Sequence, residues 1–149
     1  MTTQDLRILQ HLRRDARINL TVLSKKTGIP VSTLFDRLRA GEGSVITRFT
    51  VLMDFAKLGF PVRTKVLLRA DAESRVPLRN YLLAHNRVNG LWRINNGFDY
   101  AADCFFASIK EAEEFLDTIE EKYRIVEKQM FHIIDDLATE KAMTVDAAN

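Results

Sequence analysis

Val31, Ser32, Thr33, Phe35 and Asp36, with Arg37 and Arg39 behind them, open a short helical pattern just after Gly28-Ile29-Pro30. Presented at a helix start, the Ser32 and Thr33 hydroxyls can donate to or accept from base edges, and Val31 and Phe35 suit a thymine methyl. Lys25, Lys26, Arg37 and Arg39 supply cations for phosphates, contacts that set register and affinity rather than sequence choice. Other chemistry is thinly provided for. The three histidines, His11, His85 and His132, are scattered, and no Ser-His-Asp order, P-loop or metal-ligand spacing is present. A single cysteine, Cys104, excludes an internal disulfide and a Cys-based zinc site. The expectation is no catalytic residue, no metal, no cofactor and no enzyme activity.

The elements that would hold these residues can be read upstream and downstream. Leu6, Leu9 and Leu12 recur at helical spacing after Asp5. Asn19 can cap a second helix over Leu20 to Thr27, and Gly28 can end it in a left-handed conformation. A third helix runs from about Ser32 to Arg39, with Leu34 and Leu38 one turn apart on its inner face. Two short helices joined by a Gly-containing turn make a helix-turn-helix, whose second helix enters the major groove. The same pattern also describes a small helical core with a solvated basic face. Gly41 to Ser44 breaks the third helix. Val45 to Met53, β-branched and apolar, reads as a short hairpin or extended strand, a wing from which Arg48 reaches a phosphate or the minor groove. Asp54 to Gly59 reads as a helical turn closing the module.

The charge of the 149 residues is +2 and hides an asymmetry. Residues 1–60 carry 10 basic and 5 acidic side chains, and the rest carry 12 basic and 15 acidic. A basic front and an acidic back imply two modules with different partners, the front one facing a polyanion. The expected division is residues 1–60, 61–137 and a tail over 138–149. With no N-terminal signal pattern and no apolar run long enough to span a bilayer, a membrane partner is not expected.

The back module reads strand, helix, strand, strand, helix, strand, the ferredoxin-like order. The strands are Val62 to Ala70, Val88 to Asn95, Asp99 to Phe106 and Ile125 to Ile134; the helices are Arg75 to His85 and Lys110 to Tyr123. Asn95-Asn96-Gly97 is a hairpin signal. By strand parity Leu67, Leu91, Ala101, Phe105, Phe131 and Ile133 lie on the face away from the helices. So large an apolar face implies a second copy packed on it, hence a homodimer. The fold class is α+β, a winged or plain helix-turn-helix joined to a βαββαβ domain.

Together these residues resemble the Lrp/AsnC family, the leucine-responsive and feast/famine regulators. Asp5-Leu6-Arg7-Ile8-Leu9 is similar to its D-x-x-I-L opening, and Asp15-Ala16-Arg17-Ile18 to its D-a-R-i. Gly28 to Thr33 resembles the turn into its recognition helix; Val45-Ile46 and Asp54 to Gly59 resemble its strand and linker. Gly97-Phe98-Asp99-Tyr100 is similar to the turn between the middle strands of its effector domain. The resemblance covers about residues 3 to 137. It implies a transcription regulator on double-stranded DNA in the cytoplasm, associated with the nucleoid. It also implies pairing through the sheet into dimers, with tetramers or octamers beyond them. An amino-acid effector would sit at subunit contacts near Gly97, Asp99 and Tyr100, the glycine admitting a carboxylate to backbone N–H groups and Asp99 pairing with an α-ammonium. A purely structural reading stands beside it: Gly97 makes the hairpin and Asp99 caps it. Two further functions share the architecture, a DNA-compacting protein without effector and a siroheme-decarboxylase-like enzyme. Ala40-Gly41-Glu42-Gly43-Ser44 departs from the family's longer helix, and Asn95-Asn96 from its usual Thr-Gly turn.

Overall fold

The computed structural model describes residues 2–141 and divides them into two compact units. One is residues 2–52 with 137–141, the other Met53–Asp136. The boundary lies ahead of the expected Phe60 because the intervening residues belong with the sheet. Phe55 stacks on Phe105 with ring centroids 3.7 Å apart, and Arg87 lies over Phe60 at 4.3 Å.

Three helices make the front unit: α1 (Thr3–Arg14), α2 (Leu20–Thr27) and α3 (Val31–Gly41). The first two are set by local caps. Thr2 and Asp5 form a reciprocal capping box on α1, the Asp5 N–H donating to Thr2 Oγ1 at 3.2 Å and the Thr2 N–H to Asp5 Oδ2 at 2.6 Å. Asn19 accepts the Thr21 N–H at 2.7 Å to start α2, and Gly28 ends it at φ 72°. Ile8, Leu23, Ile29 and Leu34 form the buried core, flanked by Leu12, Ile18, Leu20 and Leu38. The expected hairpin over Val45 to Met53 does not form. A tight turn replaces it, the Gly43 N–H reaching Ile46 O at 3.1 Å and the Ile46 N–H reaching Gly41 O at 3.0 Å. Residues 47–53 have no regular structure, and Phe49, Val51, Leu52 and Met53 are exposed. β propensity is realised only against a neighbouring strand, and the front unit has none to offer.

The sheet unit contains β1 (Val62–Ala70), α4 (Arg75–Ala84), β2 (Val88–Arg93), β3 (Tyr100–Phe106), α5 (Ile109–Lys122) and β4 (Ile125–His132). The strands lie in the order β2-β3-β1-β4, every neighbouring pair antiparallel. That is the ferredoxin-like arrangement. Val66, Leu68, Ala70, Ala102, Cys104 and Phe106 project toward α4 and α5, where Leu78, Leu82, Phe115, Leu116 and Ile119 meet them. Burial pushes the Cys104 thiol up to about 12, so it is a core filler and not a nucleophile.

The other face of the sheet differs from its expected composition. A register shift between Val88 and Gly90 reverses the parity of β2. Leu91 therefore pairs with Ala102 and packs on the helix side, whereas Trp92 pairs with Ala101 on the open side. The Trp92 ring lies against Gly90, where any Cβ would meet it at 2.4 Å. Leu67, Ala101, Phe105 and Phe131 take the open side as expected, in register with Arg63, Lys65 and Gln129. Ile133, just beyond β4, follows them by donating its N–H to Arg63 O at 2.9 Å.

Candidate nucleic-acid interface and effector turn

Leu34, fully buried, and Leu38 anchor the inner side of α3. This turns Val31, Ser32, Phe35, Asp36 and Arg39 outward; Val31 is 42% and Phe35 54% exposed. Two apolar side chains left in water at the start of a helix, beside a hydroxyl and an acid, suit a partner that offers both methyl groups and polar edges. Thr33 is half-buried. Lys25 and Lys26 are exposed in the last turn of α2, where they also complement its carbonyl end. Arg48 is exposed on the irregular segment and not on a wing.

Arg37 departs from its expected place among the phosphate contacts. It points back at the first turn of α1. Its Nη1 donates to Asp5 Oδ1 at 2.7 Å and Thr2 Oγ1 at 3.2 Å, and its Nη2 to Gln4 Oε1 at 2.9 Å. Hydrogen bonds from Thr2, with Arg37 adding to them, hold the Asp5 carboxyl at about 2. The residue lies on the flank of α3 between the buried stripe and the outward face, a position helical periodicity leaves undecided.

At the expected effector turn, Asn96 and Gly97 adopt φ 61° and 90°, so the turn between β2 and β3 forms as the Asn-Asn-Gly signal requires. Asp99 is already committed. Its Oδ2 accepts the Ala70 N–H at 3.0 Å and its Oδ1 pairs with Arg75 Nε at 2.8 Å. Tyr100 faces the core, 6% exposed, and its hydroxyl donates to Arg75 O at 3.0 Å. Both side chains are engaged within the chain: they tie the start of β3 to the end of β1 and to the start of α4, whereas the structural reading had Asp99 capping the hairpin.

A cluster on the open sheet face was not foreseen. Asp103 is 2% exposed, yet it sits among the open-face residues. Arg63 donates to both of its oxygens at 3.0 and 3.2 Å, and Lys65 Nζ pairs with it at 3.1 Å. Arg63 also reaches Asp136 at 2.6 Å and lies over the Phe105 ring at 5.4 Å, while Lys65 lies 4.9 Å from the Trp92 centroid. The available signal was one acid inside the apolar run Tyr100 to Phe106, opposite two cations at alternate positions of β1. Among the described residues no group of His, Cys, Asp and Glu could hold a metal, and no helix is long and apolar enough to cross a membrane.

The winged helix-turn-helix DNA-binding family matches residues 1–40. Over 92 residues the chain is 33% identical to an uncharacterized helix-turn-helix-type transcriptional regulator of Pyrococcus horikoshii, a match spanning 61% of this chain and 61% of that protein. A transcriptional regulator of Neisseria meningitidis, solved as a complex with L-methionine, has a similar fold. The TM-score is 0.88 at 16% identity, over 97% of this chain and 96% of the other. An AsnC family regulator of Agrobacterium tumefaciens gives a TM-score of 0.81 at 21% identity, over 93% and 94% of the two chains. The front helices thus match a winged helix-turn-helix family, and the two-unit fold is similar almost end to end to the folds of these two regulators.

Proposed function

We propose that the chain is a sequence-specific DNA-binding transcription regulator that works as a dimer or larger assembly and responds to an amino acid. The outward face of α3 carries the reading. Val31, Ser32, Phe35, Asp36 and Arg39 stand clear of the core beside Lys25 and Lys26, in the motif that places such a helix in the major groove. In this reading Val31, Ser32, Thr33, Phe35 and Asp36 meet base edges, and Lys25, Lys26, Arg39 and Arg48 meet phosphates. This puts the protein on chromosomal DNA in the cytoplasm. The test is a salt-titrated anisotropy assay on duplex from its own upstream region and on random duplex. The upstream duplex binds at least about 10³-fold tighter, and the affinity for both falls steeply with salt. Equal affinities overturn sequence-specific regulation and leave a DNA-compacting protein.

The assembly reading rests on the open sheet face. Leu67, Trp92, Ala101, Phe105, Phe131 and Ile133 offer apolar area there, and the charges among them are largely neutralised within the chain by Asp103 and Asp136. Such a face can meet a second copy of itself without leaving a charge unpaired. The effector reading is supported by the L-methionine complex of the Neisseria regulator. With Asp99 and Tyr100 engaged internally, we place the amino acid against the backbone of the Asn95 to Gly97 turn at a subunit contact. There it shifts operator affinity by binding one assembly better than another. A thermal-shift screen against the twenty amino acids yields at least one stabilising ligand. No shift with any of them removes the effector.

A further inference from the structure

Resting on the DNA-binding reading above, we propose that Arg37 is a positioning residue that fixes α3 against α1, and that it makes no phosphate contact. Three observations carry this. Both terminal nitrogens of the guanidinium are engaged, Nη1 shared between Asp5 and Thr2 and Nη2 on Gln4. The fork reaches three acceptors on a single helical turn, a geometry that a flexible point charge cannot reproduce. The polar tie also stands where packing is open. Asp5 and Arg37 are among the walls of a groove of about 480 Å³, together with Ile8, Leu9, Leu38 and the Gly41 to Ile46 turn. Ile8 of α1 and Leu34 of α3 share the core, and beside them the groove leaves the Arg37 fork as the polar bridge between the two helices. Leu34 holds α3 at its middle, and Arg37 fixes its rotation about that point.

The acceptors are themselves held. Asp5 and Thr2 are the two halves of the capping box, so the α1 cap and the α3 tie form one unit. Losing Asp5 frees Arg37 and unfastens α1 together. The Arg37 and Asp5 side chains are 31% and 29% exposed, which makes the pair partly screened and the expected effect moderate.

The sign of one substitution separates positioning from phosphate contact. Asp5→Asn removes a negative charge from a DNA-binding unit and releases a guanidinium. If Arg37 were a phosphate contact, affinity would rise. As a positioning pair, affinity for the preferred duplex falls about three- to tenfold. Arg37→Ala falls by a similar factor with an unchanged slope of affinity against salt, and the double variant binds no worse than Arg37→Ala alone. Arg37→Lys, which keeps the charge and would serve a phosphate, also loses at least threefold. The assay is the anisotropy titration with the preferred upstream duplex, with circular dichroism on every variant. Should Arg37→Ala lose its helices, Asp5→Asn and Arg37→Lys still decide. Unchanged or tighter binding by Asp5→Asn overturns the proposal. So does a salt slope that drops by about one contact in Arg37→Ala, or full affinity in Arg37→Lys. A wild-type chain that binds no duplex overturns the regulator reading and this proposal together, whereas any failure confined to the variants leaves the regulator reading standing.

Discussion

Leu34→Ala abolishes duplex binding while the sheet unit keeps its native melting temperature. Leu34 is one of four buried residues in the core of the front unit and the central anchor of α3. Truncating a buried leucine costs about 2–5 kcal/mol, the loss growing with the cavity that remains. A helical unit this small has a stability of only a few kcal/mol, because little of its surface is removed from water. The loss is therefore comparable to the whole, and the unit that carries the outward face of α3 no longer holds it in place. Met53–Asp136 has its own core, built around Leu68, Leu82, Phe106 and Ile119, and does not share Leu34. Two readings check this result: anisotropy on upstream duplex, and amide exchange resolved by unit. Loss of protection in α1 to α3 with retained protection in β1 and β3 is the expected pattern. Wild-type duplex affinity in the variant contradicts it.

The contrast between these units explains what could be read from the chain alone. Caps and periods were legible because their causes are local. Asn19, Gly28, Leu34 and Leu38 act within one helix, and Val62–Ala70 alternates without interruption. The ferredoxin-like order follows from six such elements in sequence. What escaped depends on partners distant in the chain. The apolar run at Val45 to Met53 has strand composition, yet a strand exists only with a neighbour to accept its hydrogen bonds. Leu91 changed sides because one bulged residue in β2 reverses everything after it. At the candidate sites, residue type was visible and commitment was not. Arg37 and Asp99 have the chemistry expected of ligand contacts, but each is held by acceptors or donors about 30 residues away. Asp103 was hidden for the same reason, its partners lying on another strand.

Asp103→Asn lowers the melting temperature of the sheet unit by roughly 10–20 °C. The carboxylate is nearly inaccessible, and its oxygens are shared by Arg63 and Lys65. Removing one member of a buried pair leaves its partners desolvated and unneutralised, a loss of about 3–5 kcal/mol when all are buried. Here Arg63 keeps Asp136, and the Arg63 and Lys65 side chains remain 23% and 36% exposed, so about 2–3 kcal/mol is expected. For a unit of this size each kcal/mol moves the midpoint by about 4–8 °C. The pH dependence carries the signature of the carboxylate itself. Burial pushes the Asp103 carboxyl up, but hydrogen bonds and charge from Arg63 and Lys65 outweigh it and hold the group below the usual carboxylate range. A group depressed on folding contributes its full stability above its unfolded pKa, about 4, and loses it as the pH falls through the lower folded value. The stability gap between wild type and Asp103→Asn is therefore constant from neutral pH to about pH 5 and closes below about pH 4. Asp71 and Glu111 are depressed in both proteins, so they cancel in the difference. A gap that persists unchanged at pH 3 would assign the loss to packing instead of charge. Because the same cluster lies on the face proposed to meet a second copy, the variant also dissociates at a higher protein concentration than the wild type, which sedimentation over a dilution series measures. An open face that stayed monomeric in the wild type at every concentration would confine Asp103 to the stability of its own sheet.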